Sequence, residues 1–293
     1  MLVEKSGCKV NLLLNILRRR EDGFHELETV MQPIPLYDHL TFEKFSQTGI
    51  QMECSHPGVP TGAENLVCRA ARAFQEASGI REGVRIRLEK NLPVAAGVGG
   101  GSGNAAATLI GLNRLFGEPL SADALVPLAA DLGSDVPFFL QSGPAIAIGR
   151  GEQVDSLAPF EILQGAAILL VNPGFGVSTP WAYKNLIPED LSSEKALTAK
   201  EFVSVAQSGD WESFIGSLYN SLERPVFAKY PVLSIIKETL IECGADGALL
   251  SGSGATVFGL VKEQKNAEGI KQRFASAYGS ECWCEIVSFG KRL

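Results

Sequence analysis

The sequence predicts an α+β protein of two domains, and three observations carry that prediction. At 293 residues the chain suits one large domain or two ordinary ones. Between Cys8 and Ser55 the pattern is almost wholly strands separated by turn residues. From Ala166 onward the predicted order is β–α–β–β–α–β, the split βαβ of ferredoxin-like sheets, with extra helices in the first crossover. The division is expected near residue 155, giving an N-terminal α+β domain over 1–155 and a C-terminal ferredoxin-like α+β domain over 156–293.

The first strand is "CKVNLLLNIL", whose alternation puts Lys9, Asn11, Leu13 and Asn15 on one face and Cys8, Val10, Leu12 and Leu14 on the other. "RRREDG" turns, and "HELETVMQPIPL", "DHLTFEKF" and "GIQMECS" follow as further strands. "NLVCRAARAFQEAS" is helical, with Leu66, Ala70, Ala73 and Phe74 on one face. "GVRIRLEKNL" alternates again and runs into a glycine-rich stretch. "NAAATLIGLNRLF" is then a helix with a stripe of Ala105, Leu109, Leu112 and Phe116, "SADALVPLAADLG" a second and "DVPFFLQ" a short third, before the strand-like "AIAIGRGEQV". In the second unit "AAILLVNPG" is an apolar strand, and "STPWAYKNL" opens a helix with a Ser or Thr cap and a first-turn proline. Two or three helices fill residues 199–243, "GALLSGSGATVFGLV" is two strands on a glycine-serine turn, "AEGIKQRFASAY" a helix and "CWCEIVSF" the last strand.

Composition narrows the function classes. Hydrophobic residues at 45% and charged ones at 20% describe an ordinary soluble globular chain. A net charge of -7 argues against nucleic acid or an anionic membrane surface as the main partner, while leaving room for an anionic small molecule at a local site. "MLVEKSGCKVNLLLNIL" does not read as a signal peptide, since Glu4 comes early and asparagines break the apolar stretch. No apolar run approaches the length of a membrane span. The six cysteines, at 8, 54, 68, 243, 282 and 284, form no C-x-x-C pair, which fits unpaired thiols in a reducing cytoplasm.

The most informative stretch is "NLPVAAGVGGGSGNAAATL", residues 91–109, with five glycines among the seven residues 97–103. Glycine is the residue that loses most backbone freedom on folding, so such a run implies a need for bare backbone. The stretch leaves a strand and enters a helix, where unpaired N–H groups and the positive dipole end attract phosphate. A Walker loop would end in Gly-Lys-Ser/Thr, and no lysine is present. "GSGNAA" matches the dinucleotide pattern, but a second helix follows where a strand bearing an acidic residue belongs. A glycine-rich surface turn is the plainer alternative. Elsewhere, Lys9 and Asn11 in an apolar strand read either as an exposed edge or as side chains entering a cleft, and Asp135 reads as a helix cap that could also face a site.

P-x-x-x-G-x-G followed by small residues, between strand and helix, resembles the GHMP kinases, whose members include galactokinase, homoserine kinase and mevalonate kinase. "LLSGSGATVF" resembles the same family's C-terminal glycine-serine motif. With "CKVNLLL", "AENLVCRAA", "LGSDVPFFL" and "GRGE", the block "DGFHELETVMQ" resembles the branch acting on a cytidine diphosphate-linked methylerythritol in non-mevalonate isoprenoid synthesis, rather than on homoserine or mevalonate. The resemblance implies a two-domain GHMP-kinase fold, ATP as phosphoryl donor, Mg²⁺ with no ligands assigned, and neither nucleic acid nor membrane as partner. It implies Asp135 as catalytic base with Lys9 as its partner. It places Pro93, Val94, Ala95, Ala96, Gly97, Val98, Gly99, Gly100, Gly101, Ser102 and Gly103 around the triphosphate and Asn65 near the adenosine. For the substrate it implies Asn11 and Thr179, with Phe24 and Tyr183 on opposite faces of the cytosine and His25 on its hydrogen-bonding edge. Four positions depart from the family: Cys8 for alanine, Phe24 for tyrosine, Val98 for leucine and Gly103 for serine. The last removes a possible hydroxyl ligand for phosphate or magnesium, and a serine restored there is expected to be tolerated.

Overall fold

The computed structural model describes residues 1–191, 196–279 and 281–290. Two long strands, β1 (Leu2–Arg19) and β2 (His25–Phe45), form the spine of the first sheet. The expected pair of strands "HELETVMQPIPL" and "DHLTFEKF" is thus one strand. Its ladder to β1 slips where Cys8 pairs with Ile34 and Gly7 with Tyr37, so the irregularity absorbs Pro35, which has no N–H to donate. One end of β2 pairs with β5 (Ala145–Gly149) and the other with β4 (Gly83–Glu89), which makes the sheet branch. β3 (Ile50–Cys54) lies beyond β4, and β6 (Gln153–Ser156) beyond β5.

A second irregularity matters more for the site. Asn11 pairs with Met31 and Leu13 with Val30, leaving Leu12 as the extra residue of a bulge. The side-chain alternation therefore changes phase at Leu12. Leu13 joins Cys8, Val10 and Leu12 in the core, and Leu14 takes the cleft side expected for Leu13.

Helices α1 (Leu66–Ser78), α2 (Gly100–Leu115) and α3 (Ala122–Leu132) pack over this sheet on Leu40, Phe42, Ile86 and Leu88. α2 approaches closely, because its buried face carries Ala105, Ala106 and Gly111, and a Cβ on Gly111 would lie 2.4 Å from the Phe42 ring. On α1 the buried stripe is Val67, Cys68, Ala70, Ala71 and Phe74. It is rotated from the expected face, with Leu66 and Ala73 only half-buried.

The second sheet is built from β7 (Ala167–Asn172), β9 (Gly247–Leu250), β10 (Val257–Val261) and β11 (Trp283–Ser288). Its order β11-β7-β10-β9, antiparallel throughout, is that of the expected ferredoxin-like unit. Both faces are covered. Ile168, Leu170, Phe258 and Leu260 pack toward β1 and α5 (Ala199–Ser208). Leu169, Val171 and Val257 pack under α7 (Glu223–Lys229), α8 (Pro231–Glu242) and α9 (Ala267–Tyr278). The crossover also holds α4 (Thr179–Lys184) and α6 (Trp211–Gly216), five α-helices among the described residues where two or three were expected in its C-terminal part and one before it. Residues 219–220 form β8, which pairs parallel to β1, so the chain beyond residue 155 returns to the first sheet. All six cysteines are free thiols. Among the described residues no helix is long and apolar enough to cross a membrane.

Candidate active site

The glycine stretch begins after β4 and ends inside α2. Ala95, Gly97 and Gly99 have φ of 53°, 78° and 71°, so left-handed residues alternate with ordinary ones. Such alternation turns successive N–H groups toward one side and makes a concave anion seat. The carbonyls are fixed elsewhere. Ala96 O accepts from Thr256 N at 3.0 Å, Gly97 O from the Ser251 hydroxyl at 3.0 Å and Val98 O from Lys9 N at 2.9 Å. Glycine is required at 97, because a Cβ there would lie 2.2 Å from Ser251 O. Gly99 caps α2 without any side-chain cap, which leaves the first-turn N–H groups and the positive dipole end for a ligand.

Across from this loop stands Lys9, buried in β1. Its Nζ donates to Asn11 Oδ1 at 2.6 Å and pairs with Asp135 Oδ2 at 3.3 Å. The Asn11 amide is oriented by its own chain of bonds, Nδ2 to Thr29 Oγ1 at 2.8 Å and Thr29 Oγ1 to Leu13 O at 2.6 Å. Asp135 lies in the turn between α3 and the 3-10 segment Pro137–Leu140. Val136 occupies the cap position there and no side chain caps, so the capping reading of Asp135 does not hold. Its side chain is 39% exposed against 4% for Lys9. A buried ammonium therefore faces a carboxylate open to the cleft, a pair able to take up a proton and offset growing negative charge. Behind them the Cys8 thiol is pushed up to about 12, mainly by burial, and stays protonated.

Two more walls complete the cleft. The β9–β10 turn brings the Gly252 backbone over Lys9, so that a Cβ there would lie 3.7 Å from its Nζ. Asn220 secures the turn by donating to Leu250 O and Gly252 O, each at 2.8 Å. Ser253 and Thr179 share a hydroxyl hydrogen bond of 2.8 Å that ties the turn to α4. α4 starts on the Ser178 cap with Pro180 in its first turn, and presents Tyr183 5.4 Å from the His25 ring at 45°. Burial and the nearby Arg19 lower the His25 pKa, favouring the neutral ring. Burial, with Asp135, raises that of the Tyr183 hydroxyl. Phe24 is 54% exposed, and the Arg150 guanidinium lies 4.9 Å from its ring centre.

These walls enclose one cleft of about 1290 Å³, above the usual range for a single ligand of roughly 300–1,000 Å³. Lys9, Asn11, Phe24, His25, Asn65, Pro93, Val94, Ala95, Ala96, Gly97, Gly99, Gly100, Gly101, Ser102, Asp135, Thr179 and Tyr183 all line it. Val98 and Gly103 do not. Val98 is buried in the core beside Cys8 and Val10. Gly103 faces β1, where a Cβ would lie 2.5 Å from Gly7 O and 2.9 Å from Ser6 Oγ. Gly103 therefore packs where α2 meets β1, outside the cleft lining, and this crowding argues against the expectation that serine is tolerated there. Gly103→Ser is expected to destabilise the fold by roughly 1–3 kcal/mol, as overpacked positions do. Denaturant melts of the two proteins check this, and an unchanged midpoint would overturn it.

Asn65 is the N-cap of α1, its Oδ1 accepting from Val67 N at 2.8 Å and its Nδ2 donating to Pro60 O at 2.6 Å. Both ends of that amide are engaged by the fold. Thr29, Arg150, Gly252 and Ser253 also line the cleft; "GRGE" and "SGSG" mark the last three as motif positions, and only the fold brings them to the site.

Comparison with known proteins adds to this geometry. Residues 65–143 match the model for the GHMP kinases N terminal domain, and residues 198–280 that for the GHMP kinases C terminal domain. The 4-diphosphocytidyl-2-C-methyl-D-erythritol kinase of Pelotomaculum thermopropionicum is 44% identical over 267 residues, 91% of each chain. A crystal structure of 4-(cytidine 5'-diphospho)-2C-methyl-D-erythritol kinase superposes with a TM-score of 0.80 at 34% identity, covering 99% of this chain and 100% of the other. Homoserine kinase from Cytophaga hutchinsonii shares the fold, with a TM-score of 0.72 at 20% identity over 97% of this chain and 94% of its own.

Proposed function

This chain belongs to the GHMP kinases, and from that premise we propose that it transfers the γ-phosphoryl group of ATP to the C2 hydroxyl of 4-diphosphocytidyl-2-C-methyl-D-erythritol. One observation carries the reading: the Lys9–Asp135 pair stands in one cleft between a helix-capping glycine loop and an aromatic end formed by Phe24, His25 and Tyr183. The first half of that arrangement suits any kinase of the family. The aromatic end, together with relatives named for the cytidine-linked substrate, favours this one over a homoserine- or mevalonate-type kinase.

The chemistry follows from charge placement. Phosphoryl transfer passes through a loose transition state, so positioning and electrostatics supply most of the catalysis. Asp135 accepts the proton of the C2 hydroxyl as the oxygen–phosphorus bond forms and the bond to ADP breaks. Lys9 offsets the charge growing on the attacking oxygen. The N–H groups from Ala95 to Ser102 hold the triphosphate. Asp135 and the Ser102 hydroxyl, which both line the cleft, would be the protein neighbours of a Mg²⁺ ion held mostly by phosphates and water. When bound it neutralises phosphate charge. The same reading divides the chain at residue 155, supported by the two sheets though that line falls within β6 and β8 crosses it, and a cytoplasmic setting is supported by the six free thiols.

The test concerns cytosine. Stacking of a base on an aromatic ring contributes ~1–3 kcal/mol, so Tyr183→Ala is expected to raise KM for the cytidine substrate roughly ten- to a hundredfold and leave KM for ATP unchanged. The uridine analogue, whose O4 replaces an amino donor, is expected to be a poor substrate for the unaltered enzyme. Equal kcat/KM for the two nucleotides, from a coupled assay of ADP release, would remove the cytosine pocket and with it this choice of substrate.

A further inference from the structure

We propose that Asp38, a residue buried outside the cleft, is the positioning residue that sets the span of the glycine loop and through it the affinity for ATP; this rests on the reading of that loop as the triphosphate seat. Asp38 lies in β2 and is 0% exposed. Its Oδ1 accepts from the backbone N–H of Asn91 at 2.7 Å and of Leu92 at 2.9 Å, the residues through which the chain enters the loop. Its Oδ2 accepts from Asn104 Nδ2 at 2.9 Å, on α2 just beyond the loop, and from Lys90 Nζ at 2.5 Å. One carboxylate therefore holds both ends of the segment that carries Ala95, Gly97 and Gly99.

The placement of charge explains why a carboxylate stands there. A buried anion is costly unless its lone pairs are filled, and four donors fill these. All four partners are donors, so a neutral amide in the same volume would have to turn its own N–H₂ toward one pair of them, either Asn91 and Leu92 or Lys90 and Asn104. The two loop ends would then no longer be drawn to one point. Ser6, which pairs with Asp38 in the β1–β2 ladder, accepts from the same Asn104 amide at 2.8 Å and locks its orientation. The clamp thus reaches the strand that carries Lys9, three residues further along.

A loop seated by convergent N–H groups loses affinity when its ends shift, even though no group touching phosphate has changed. Asp38→Asn is expected to raise the ATP dissociation constant by at least about tenfold, as misplacement of a site from a distance can. KM for ATP should rise with it, while KM for the cytidine substrate stays within about twofold, because Asp38 holds nothing at the aromatic end. Asp38→Glu keeps the charge and moves it by one methylene, and serves if the asparagine variant folds poorly; it too is expected to weaken ATP measurably in calorimetry. Ile86→Val, in the core of the same sheet, supplies the control: it should lower Tm and leave ATP affinity alone. A folded Asp38 variant with lowered Tm and unchanged ATP affinity would overturn the proposal, reducing Asp38 to a packing role. Gly101→Val measured beside it separates the two ideas. If that variant loses ATP and Asp38→Asn does not, the clamp fails and the loop reading stands; if neither loses ATP, the loop reading fails.

Discussion

Asp135→Asn is expected to lower kcat by roughly 10²–10⁴-fold, the usual contribution of a positioned general base. The fold, and the affinity for ATP measured without Mg²⁺, should be nearly unaffected. The Asp135 side chain is 39% exposed and caps no helix, so in the fold its charge serves the pair with Lys9. With that exposure, and with Asn11 Oδ1 continuing to accept from the buried Lys9, the expected loss in Tm is a few degrees. An asparagine oxygen can still accept from Lys9, whose ammonium keeps its 2.6 Å bond to Asn11. What the amide cannot do is take a proton from a hydroxyl. The loss should therefore fall on the chemical step, and kcat and kcat/KM should drop together. Steady-state kinetics with both substrates, alongside calorimetry with ATP, decide it. Turnover near the unaltered rate would show that Asp135 is not the base and that Lys9 needs another role.

How much of this was legible in the sequence depends on whether a feature is local. The glycine run announced a backbone-lined loop, and the left-handed Gly97 and Gly99 show what bare backbone is for. The ferredoxin-like order was also readable, because each of its strands is short, apolar and bounded by turn residues. Lys9 and Asn11 were placed on one face by simple alternation, and they do share the cleft. Alternation failed one residue later. The bulge at Leu12 depends on how β1 meets β2, and no property of "NLLLN" reveals it.

Close approach was equally hidden. Gly103 looked like a missing hydroxyl because nothing in the string shows that Gly7 O lies against it. Asp38 looked like an ordinary strand residue, since its four partners come from two separate segments beyond it in the chain. β8 is two residues long and owes its place to the ladder with Leu13 and Leu14, so no periodicity could signal it. Asn65 was the opposite case: an asparagine ahead of a helix is a common cap, and the structure adds a bond from its Nδ2 to Pro60 O.

Gly101→Val should abolish measurable ATP binding, and it is the cleanest substitution the loop allows. At Gly97 an added Cβ would strike Ser251 O at 2.2 Å, and at Gly99 it would meet the Phe139 ring at 2.8 Å with φ at 71°, so variants there would disturb the fold itself. At Gly101 the nearest atom is Leu66 Cδ1 at 3.7 Å, an ordinary contact. The residue lies in the first turn of α2 with helical φ, where valine costs less than ~1 kcal/mol relative to good helix formers. The protein should therefore fold with Tm within a few degrees of the unaltered chain. Gly101 lines the cleft, so the branched side chain is expected to stand between the first-turn N–H groups and a phosphate oxygen. Loss of several such charge-assisted bonds at ~1.5–3 kcal/mol each corresponds to a fall in affinity of more than about a hundredfold. Gly101→Ala, smaller and unbranched, should show a lesser effect in the same direction. Titration calorimetry with ATP, paired with a melt of each variant in the absence of nucleotide, measures both quantities. A folded Gly101→Val protein that binds ATP with unchanged affinity would take this stretch out of the nucleotide site, and the alternating left-handed residues before it would need a different ligand.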